Sequence, residues 1–221
     1  MNSFIERISL SIQKGKIDIK SPYPPDMRGE QGADELTREA LDNGVSANDI
    51  LNKAMIPAMG VVGELFKEKK LFVPQVLMSA KAMNSAMLHL KPYFNSGEIK
   101  QRGTFVIGTV AGDLHDIGKN LVSMMIEGCG WRVVDLGVDV KTEQFIDAVC
   151  EYPGCIVGMS ALLTTTMESM EKSVRELRTS FPSQKILVGG APLNKEFAFK
   201  IGADLYAPNP QVAVEYINAI A

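Results

Sequence analysis

Imidazoles and thiols are scarce in this chain. Its 221 residues hold two histidines, His89 and His115, and three cysteines, Cys129, Cys150 and Cys155. A zinc site made of three histidines or four cysteines therefore cannot form within one chain. The cysteines make no CxxC pair, and disulfide frameworks belong to short, cysteine-dense secreted chains, so these three read as small buried hydrophobes. No run approaches the roughly 20 apolar residues that a membrane-spanning helix needs. The start, MNSFIERISLSIQKGK, carries Glu6 and lacks the continuous apolar core of a signal peptide, which makes the cytoplasm the expected location. A net charge of −3 gives no nucleic-acid footprint. Neither GxGxxG nor GxxxxGK[ST] occurs, so the dinucleotide and P-loop fingerprints are absent. Any bound metal must rely on very few protein ligands.

What is present falls into two halves with different periods. Residues 1–94 read as an all-α domain. Apolar positions Ile50, Leu51, Ala54, Met55, Ala58, Val62, Leu65 and Phe66 recur at spacings of three and four, one face of a helix that Ser46 or Asn48 can cap. A second long helix starts near Pro74, which suits a first turn, and runs toward Tyr93. Shorter helices are expected over 2–13 and 33–43, giving a small four-helix bundle. SPYPPD, residues 21–26, reads as an irregular loop because of its three prolines. Met55, Met59, Met78, Met83 and Met87 lie on the two long helices, either as core filler or as an adaptable apolar lid. The polar stretch 95–103 is a linker.

From 104 to 221 short apolar runs alternate with helical stretches. The runs are 104–110, 131–137, 155–160, 185–190 and 203–207; the helices are about 118–128, 141–151, 166–179, 194–201 and 210–220. This alternation predicts a flavodoxin-like, doubly wound, five-stranded parallel sheet with order 2-1-3-4-5. Continuous apolar runs suit strands covered on both faces. Ligands of such sheets collect at the carboxyl ends of the strands, where the order reverses, here between the first and third strands.

Three loops lie there. AGDLHDIGKN (111–120) places Asp113 two residues before His115, so that the carboxylate can hold one ring nitrogen while the other faces outward, as in metal-binding imidazoles. Gly118 lets the backbone come close to a bulky ligand. The plainer alternative is that Asp113 or Asp116 caps the next helix and His115 is a loop residue. Position at the switch point favours the functional reading. SALLTTT (160–166) offers Ser160, Thr164, Thr165 and Thr166, either as strand-end and capping hydroxyls or as groups facing the His115 loop. Gly189–Gly190 is either a tight turn or a slot beside the sheet. His89, beside Leu88 and Leu90 with no carboxylate three or four residues away, reads as structural.

Taken together, D-L-H-D-I-G at 113–118, S-A-L at 160–162 and G-G at 189–190 resemble the cobalamin-binding domain of methionine synthase, cobalamin-dependent mutases and small corrinoid proteins. M-G-V-V-G-E-L-F at 59–66 and L-F-V-P-Q-V-L-M-S-A-K-A-M at 71–83 are similar to the four-helix cap that precedes this domain in the methyl-transferring members. The resemblance spans about 31 to 218.

It implies a helical cap over 1–94, a linker over 95–103 and a cobalamin-binding domain over 104–221. Cobalamin would bind with its own benzimidazole displaced and His115 as the lower cobalt ligand, the cofactor alternating between methylcobalamin and Co(I) forms. Asp113 matches the carboxylate that hydrogen-bonds this histidine. Thr166 stands where methionine synthase has a serine, so a hydroxyl survives in the relay. Asp116, Ile117 and Gly118 of the first loop, Ser160, Leu162 and Thr164 of the second, and Gly189 and Gly190 fall in the implied cofactor-binding set. The cap would shield the upper face of the corrin and move to admit a partner. The implied function is a methyl carrier between a substrate-specific methyltransferase and an acceptor methyltransferase, served by a reductive activator, with no nucleic-acid or membrane partner. A cobalamin-sensing regulator and the cobalamin subunit of a mutase are the alternatives. Methylamine, methanol, glycine betaine and aryl methyl ether donors all fit, because the donor binds the partner.

Overall fold

The computed structural model describes residues 2–220 and contains two compact units. One runs up to Gln101 and takes in Gly128–Gly130; the other holds Arg102–Glu127 and the chain from Trp131 onward.

The first unit is helical. It contains α1 (Asn2–Lys14), α2 (Ala33–Asp42), the short α3 (Ala47–Asp49), α4 (Ile56–Lys67) and α5 (Val73–Asn95). Of the stripe that the spacing predicted, Ile50, Leu51, Ala54, Met55, Ala58 and Val62 are buried and Leu65 and Phe66 half-buried; Ile8, Ile12, Leu36, Val76 and Leu90 are buried as well. Ser46, not Asn48, caps α3: its hydroxyl accepts the Asp49 N–H at 3.1 Å. The long helix expected from Ile50 is not regular. A π turn over Ile50–Met55 separates α3 from α4, and the Ile56 N–H reaches back five residues to the Leu51 carbonyl. Pro57 follows at once; it has no N–H to give, and its ring would press on the carbonyl four residues back, so the widened turn relieves both. The α5 helix has Pro74 in its first turn, as predicted. The 21–26 segment is not wholly irregular, since Pro25–Met27 forms one 3₁₀ turn with Pro25 at its start. Met55, Met59 and Met83 are fully buried, as core-filling residues are, while Met78 and Met87 are half-buried. His89 Nε2 lies 2.8 Å from Asp34 on α2, a partner distant in sequence that ties α5 to α2.

The second unit is a five-stranded parallel sheet in the order β2-β1-β3-β4-β5. Its elements are β1 (Thr104–Thr109), α6 (Ile117–Gly128), β2 (Arg132–Asp135), α7 (Thr142–Glu151), β3 (Ile156–Ser160), α8 (Met167–Ser180), β4 (Lys185–Gly189), α9 (Lys195–Ile201), β5 (Leu205–Tyr206) and α10 (Pro210–Ala219). Val106, Val157, Ile186 and Val188 of the central strands are buried among Phe145, Met170, Val174 and Leu177 of the flanking helices. Coverage of both faces holds for β1, β3 and β4, but β2, at the sheet edge, is only half-buried. Pairing is in register through Thr109 and Ser160, so β1 and β3 end side by side. That shared end is the switch point.

Candidate functional site

Strand β1 delivers the first site loop. Thr109, fully buried at its last position, sends its hydroxyl to the His115 carbonyl at 2.9 Å. The Asp113 N–H closes a turn onto the Val110 carbonyl, 3.1 Å away, with Gly112 at φ +85°. This turn aims the Asp113 side chain inward, where it is completely buried, while the His115 side chain remains half-exposed.

Asp113 is the hub. Its Oδ1 lies 2.7 Å from His115 Nδ1 and accepts the His115 N–H at 3.1 Å. Its Oδ2 accepts the Leu162 N–H at 2.7 Å, the Leu163 N–H at 3.3 Å and the Thr166 hydroxyl at 2.9 Å. Burial by itself pushes the carboxyl pKa up. The Leu162 N–H, the His115 ring and N–H, and the Thr166 hydroxyl outweigh that and hold it far below the usual carboxylate range. Asp113 is therefore an anion, and it selects the tautomer in which Nδ1 carries hydrogen. The Nε2 lone pair is then left to face outward.

The structure sorts the sequence candidates. Asp113, His115, Leu162 and Thr166 come together at one point. Asp116 stands before α6, where its carbonyl accepts the Asn120 N–H and its carboxylate accepts the Asn120 amide, so Asp116 rather than Asp113 serves the helix start. Thr164 is exposed in a 3₁₀ turn and Ser160 ends β3; neither side chain joins the hub. Gly190 has φ +138°, and a Cβ there would lie 1.7 Å from the Ala161 carbonyl oxygen. The glycine pair thus lets the end of β4 press against the end of β3, and the Ala161 N–H donates to the Gly189 carbonyl at 3.1 Å. The space beside Gly118 is open for 4 Å.

Several contributors escaped sequence reading. For Thr109 the one available signal is a hydroxyl within an apolar run. Lys119 is buried, and its ammonium pairs with Asp135 and with Asn120 Oδ1. Asp139, beyond β2, accepts the Gly112 N–H. Large apolar side chains on the His115 loop and on the loops hydrogen-bonded to it remain exposed: Leu114 (73%), Ile117 (70%), Val138, Leu162 and Leu163. One outward imidazole nitrogen within an apolar rim fits a large, flat ligand that brings its own equatorial donors and needs one axial nitrogen. Among the described residues no group of three or more His, Cys, Asp or Glu could hold a bare metal ion, and no helix is long and apolar enough to cross a membrane.

Comparison with known proteins agrees with this geometry. A family described as the B12 binding domain matches residues 103–215, and a second of the same description matches 29–91. A corrinoid protein of Desulfitobacterium hafniense is 39% identical over 191 residues, which cover 84% of this chain and 88% of that protein. This chain belongs to the B12-binding corrinoid proteins. Trimethylamine corrinoid protein 1 of Methanosarcina acetivorans is also 39% identical, over 86% of this chain and 90% of its own length. Among solved structures, a chain of the methanol:cobalamin methyltransferase complex MtaBC of Methanosarcina barkeri superposes with TM-score 0.82 at 30% identity, covering 99% of this chain and 80% of that one. The corrinoid protein therefore takes cobalamin as its cofactor and functions as a methyl carrier. The regulator and mutase alternatives are not favoured.

Proposed function

We propose that His115 supplies the axial nitrogen to cobalamin, that Asp113 and Thr166 tune it, and that the methyl group carried comes from a methylamine. The observation that carries the site assignment is the 2.7 Å contact between His115 Nδ1 and the fully buried Asp113. Bound cobalamin would supply the cobalt centre on which the methyl group rides. The chain's own part is to hold and orient the imidazole. Asp113 accepts the Nδ1 hydrogen, raising the donor strength of Nε2, and can keep a proton near His115 when the nitrogen is released. Thr166 donates to Oδ2, so the charge offered to the imidazole is shared with a hydroxyl and two backbone N–H groups. Leu114, Ile117, Leu162 and Leu163 are exposed apolar side chains that would keep water away from a cofactor bound there.

The donor class rests on relatives. Proteins named as mono-, di- and trimethylamine corrinoid proteins of Methanosarcina are 37–40% identical to this chain. A methylamine-specific methyltransferase would then load the protein, an acceptor methyltransferase would unload it and a reductive activator would rescue oxidised cobalt, all in the cytoplasm. Loading with hydroxocobalamin tests the ligand: the wild type should give a histidine-coordinated corrinoid spectrum, and His115→Ala should shift it to a water-ligated one. An identical spectrum for the variant would remove His115 as the ligand. Methylation of the loaded protein by purified methylamine methyltransferases, and not by a methanol methyltransferase, tests the donor.

A further inference from the structure

The loop between β2 and α7 contains a residue that core packing does not explain. Asp139 is exposed to solvent and has φ +53°, in the left-handed region that a residue with a Cβ occupies at a cost. Only one other non-glycine residue among those described, Lys69, has a positive φ. The turn is already served by a glycine, Gly137 at φ +88°.

The neighbours of Asp139 finish the sheet. Gly137 accepts the Thr109 N–H through its carbonyl at 3.0 Å, and the Val140 N–H donates to the Thr109 carbonyl at 2.9 Å. Asp139 alone reaches past the sheet into the His115 loop, and it does so twice. Its Oδ1 accepts the Gly112 N–H at 2.7 Å, and its own N–H donates to the Asp113 carbonyl at 3.0 Å. Both bonds need the left-handed backbone, which turns N–H and carboxylate to the same side. They grip the peptide unit before Gly112 and the one after Asp113, and so bracket Gly112, whose φ of +85° and missing side chain make it a loose joint in the loop. Downstream the loop is pinned by Thr109 on the His115 carbonyl. Asp139 is the matching pin upstream.

We infer that Asp139 is a positioning residue for His115: its carboxylate and N–H fix the Gly112–Asp113 turn, and through Asp113 they fix the height and aim of the imidazole. This rests on His115 being the axial ligand. Asp139 acts through the turn that its two hydrogen bonds hold.

Two substitutions separate the acceptor from the backbone conformation. Asp139→Gly keeps the left-handed turn at no steric cost but removes the acceptor. Asp139→Asn keeps an acceptor oxygen, and asparagine tolerates this conformation. Full-length protein would be titrated with hydroxocobalamin and followed by the absorption change on histidine coordination. Urea unfolding would be followed in parallel through the fluorescence of Trp131, the chain's single tryptophan, buried in the sheet unit. For Asp139→Gly the expected result is corrinoid binding roughly 3- to 10-fold weaker, the effect of one hydrogen bond, with an unchanged or higher urea midpoint. Asp139→Asn should bind within about twofold of wild type, because the acceptor remains. Wild-type binding by Asp139→Gly would overturn the inference. So would loss of stability in step with binding, or an Asp139→Asn as weak as the glycine variant. His115→Ala, run alongside, identifies which claim has failed. If it coordinates like wild type, the ligand assignment falls and this inference falls with it. If it changes the spectrum while Asp139→Gly does not, only the role of Asp139 falls.

Discussion

Replacing Asp113 by asparagine changes one atom, and the structure says what that atom does. The carboxylate takes five hydrogen bonds, two on Oδ1 and three on Oδ2. Asparagine has one acceptor oxygen and one NH₂ group. With the oxygen in the Oδ2 position, it keeps Leu162, Leu163 and Thr166, and the NH₂ then faces the His115 N–H and Nδ1. With the oxygen in the Oδ1 position, the NH₂ faces two backbone N–H groups instead, which is worse. The first arrangement therefore wins. It leaves the His115 N–H without an acceptor, at roughly 1–3 kcal/mol, and turns charge-assisted bonds into neutral ones, each weaker by about 1 kcal/mol. Relief from burying an ion offsets part of this. A net destabilisation of about 3 kcal/mol follows for the sheet unit. Urea unfolding read by Trp131 fluorescence isolates that unit, and with a slope of roughly 2 kcal/mol per molar the midpoint should fall by about 1.5 M. The same arrangement makes Nδ1 an acceptor and puts the ring hydrogen on Nε2, where it blocks coordination. The hydroxocobalamin-loaded variant should then show the spectrum of His115→Ala, although its histidine is intact. A midpoint within about 0.3 M of wild type would refute the accounting of Asp113 as a five-bond hub. A wild-type spectrum would refute the tautomer argument.

Gly190→Ala should lower the stability of the sheet unit by about 3 kcal/mol or more by the same assay, since its Cβ would sit 1.7 Å from the Ala161 oxygen at φ +138°; a midpoint like that of wild type would contradict this. Ser46→Ala removes the acceptor of the Asp49 N–H and should cost about 1 kcal/mol in the helical unit, measured by far-ultraviolet circular dichroism during urea unfolding. The thiols should also differ in reactivity. Burial raises the Cys155 pKa to about 11, so at pH 8 it stays a protonated thiol; Cys129 is buried as well, while Cys150 is exposed. A disulfide reagent should label Cys150 alone in native protein and all three after denaturation.

How far the sequence carries depends on what kind of group makes each contact. Strands β1, β3 and β4 were legible because burial on both faces demands an unbroken apolar run, and TFVIGT, IVGMS and KILVG supply one. At the edge less is demanded and less is written: ADLYA predicts five residues of strand, and only Leu205 and Tyr206 pair with β4. The apolar spacing from Ile50 to Phe66 was equally legible, but it hid the π turn, because widening one turn barely moves the buried stripe. Pro57 was the signal. His89 was legible as structural, but its carboxylate partner was not: Asp34 is 55 residues away in sequence, where helical spacing says nothing.

The site divides along the same line. Asp113, His115 and Thr166 could be named in advance because their work is done by side chains, and a side chain is a letter. Yet of the five bonds on Asp113, three come from backbone N–H groups, those of His115, Leu162 and Leu163. A main-chain donor looks the same under any letter. What brings Leu162 and Leu163 to the carboxylate is the register of β3 against β1 and the approach of Gly190 to Ala161, both of them consequences of the whole sheet. Asp139 is the intermediate case. Its letter is visible, but its left-handed backbone, which makes the letter useful, is not. A motif such as D-x-H-x-x-G therefore identifies the imidazole and its carboxylate partner, while the aim of that imidazole is also set by main-chain contacts from other strand ends. Substitutions far from the motif in sequence, at Gly190 or Asp139, should thus disturb the site as surely as those within it.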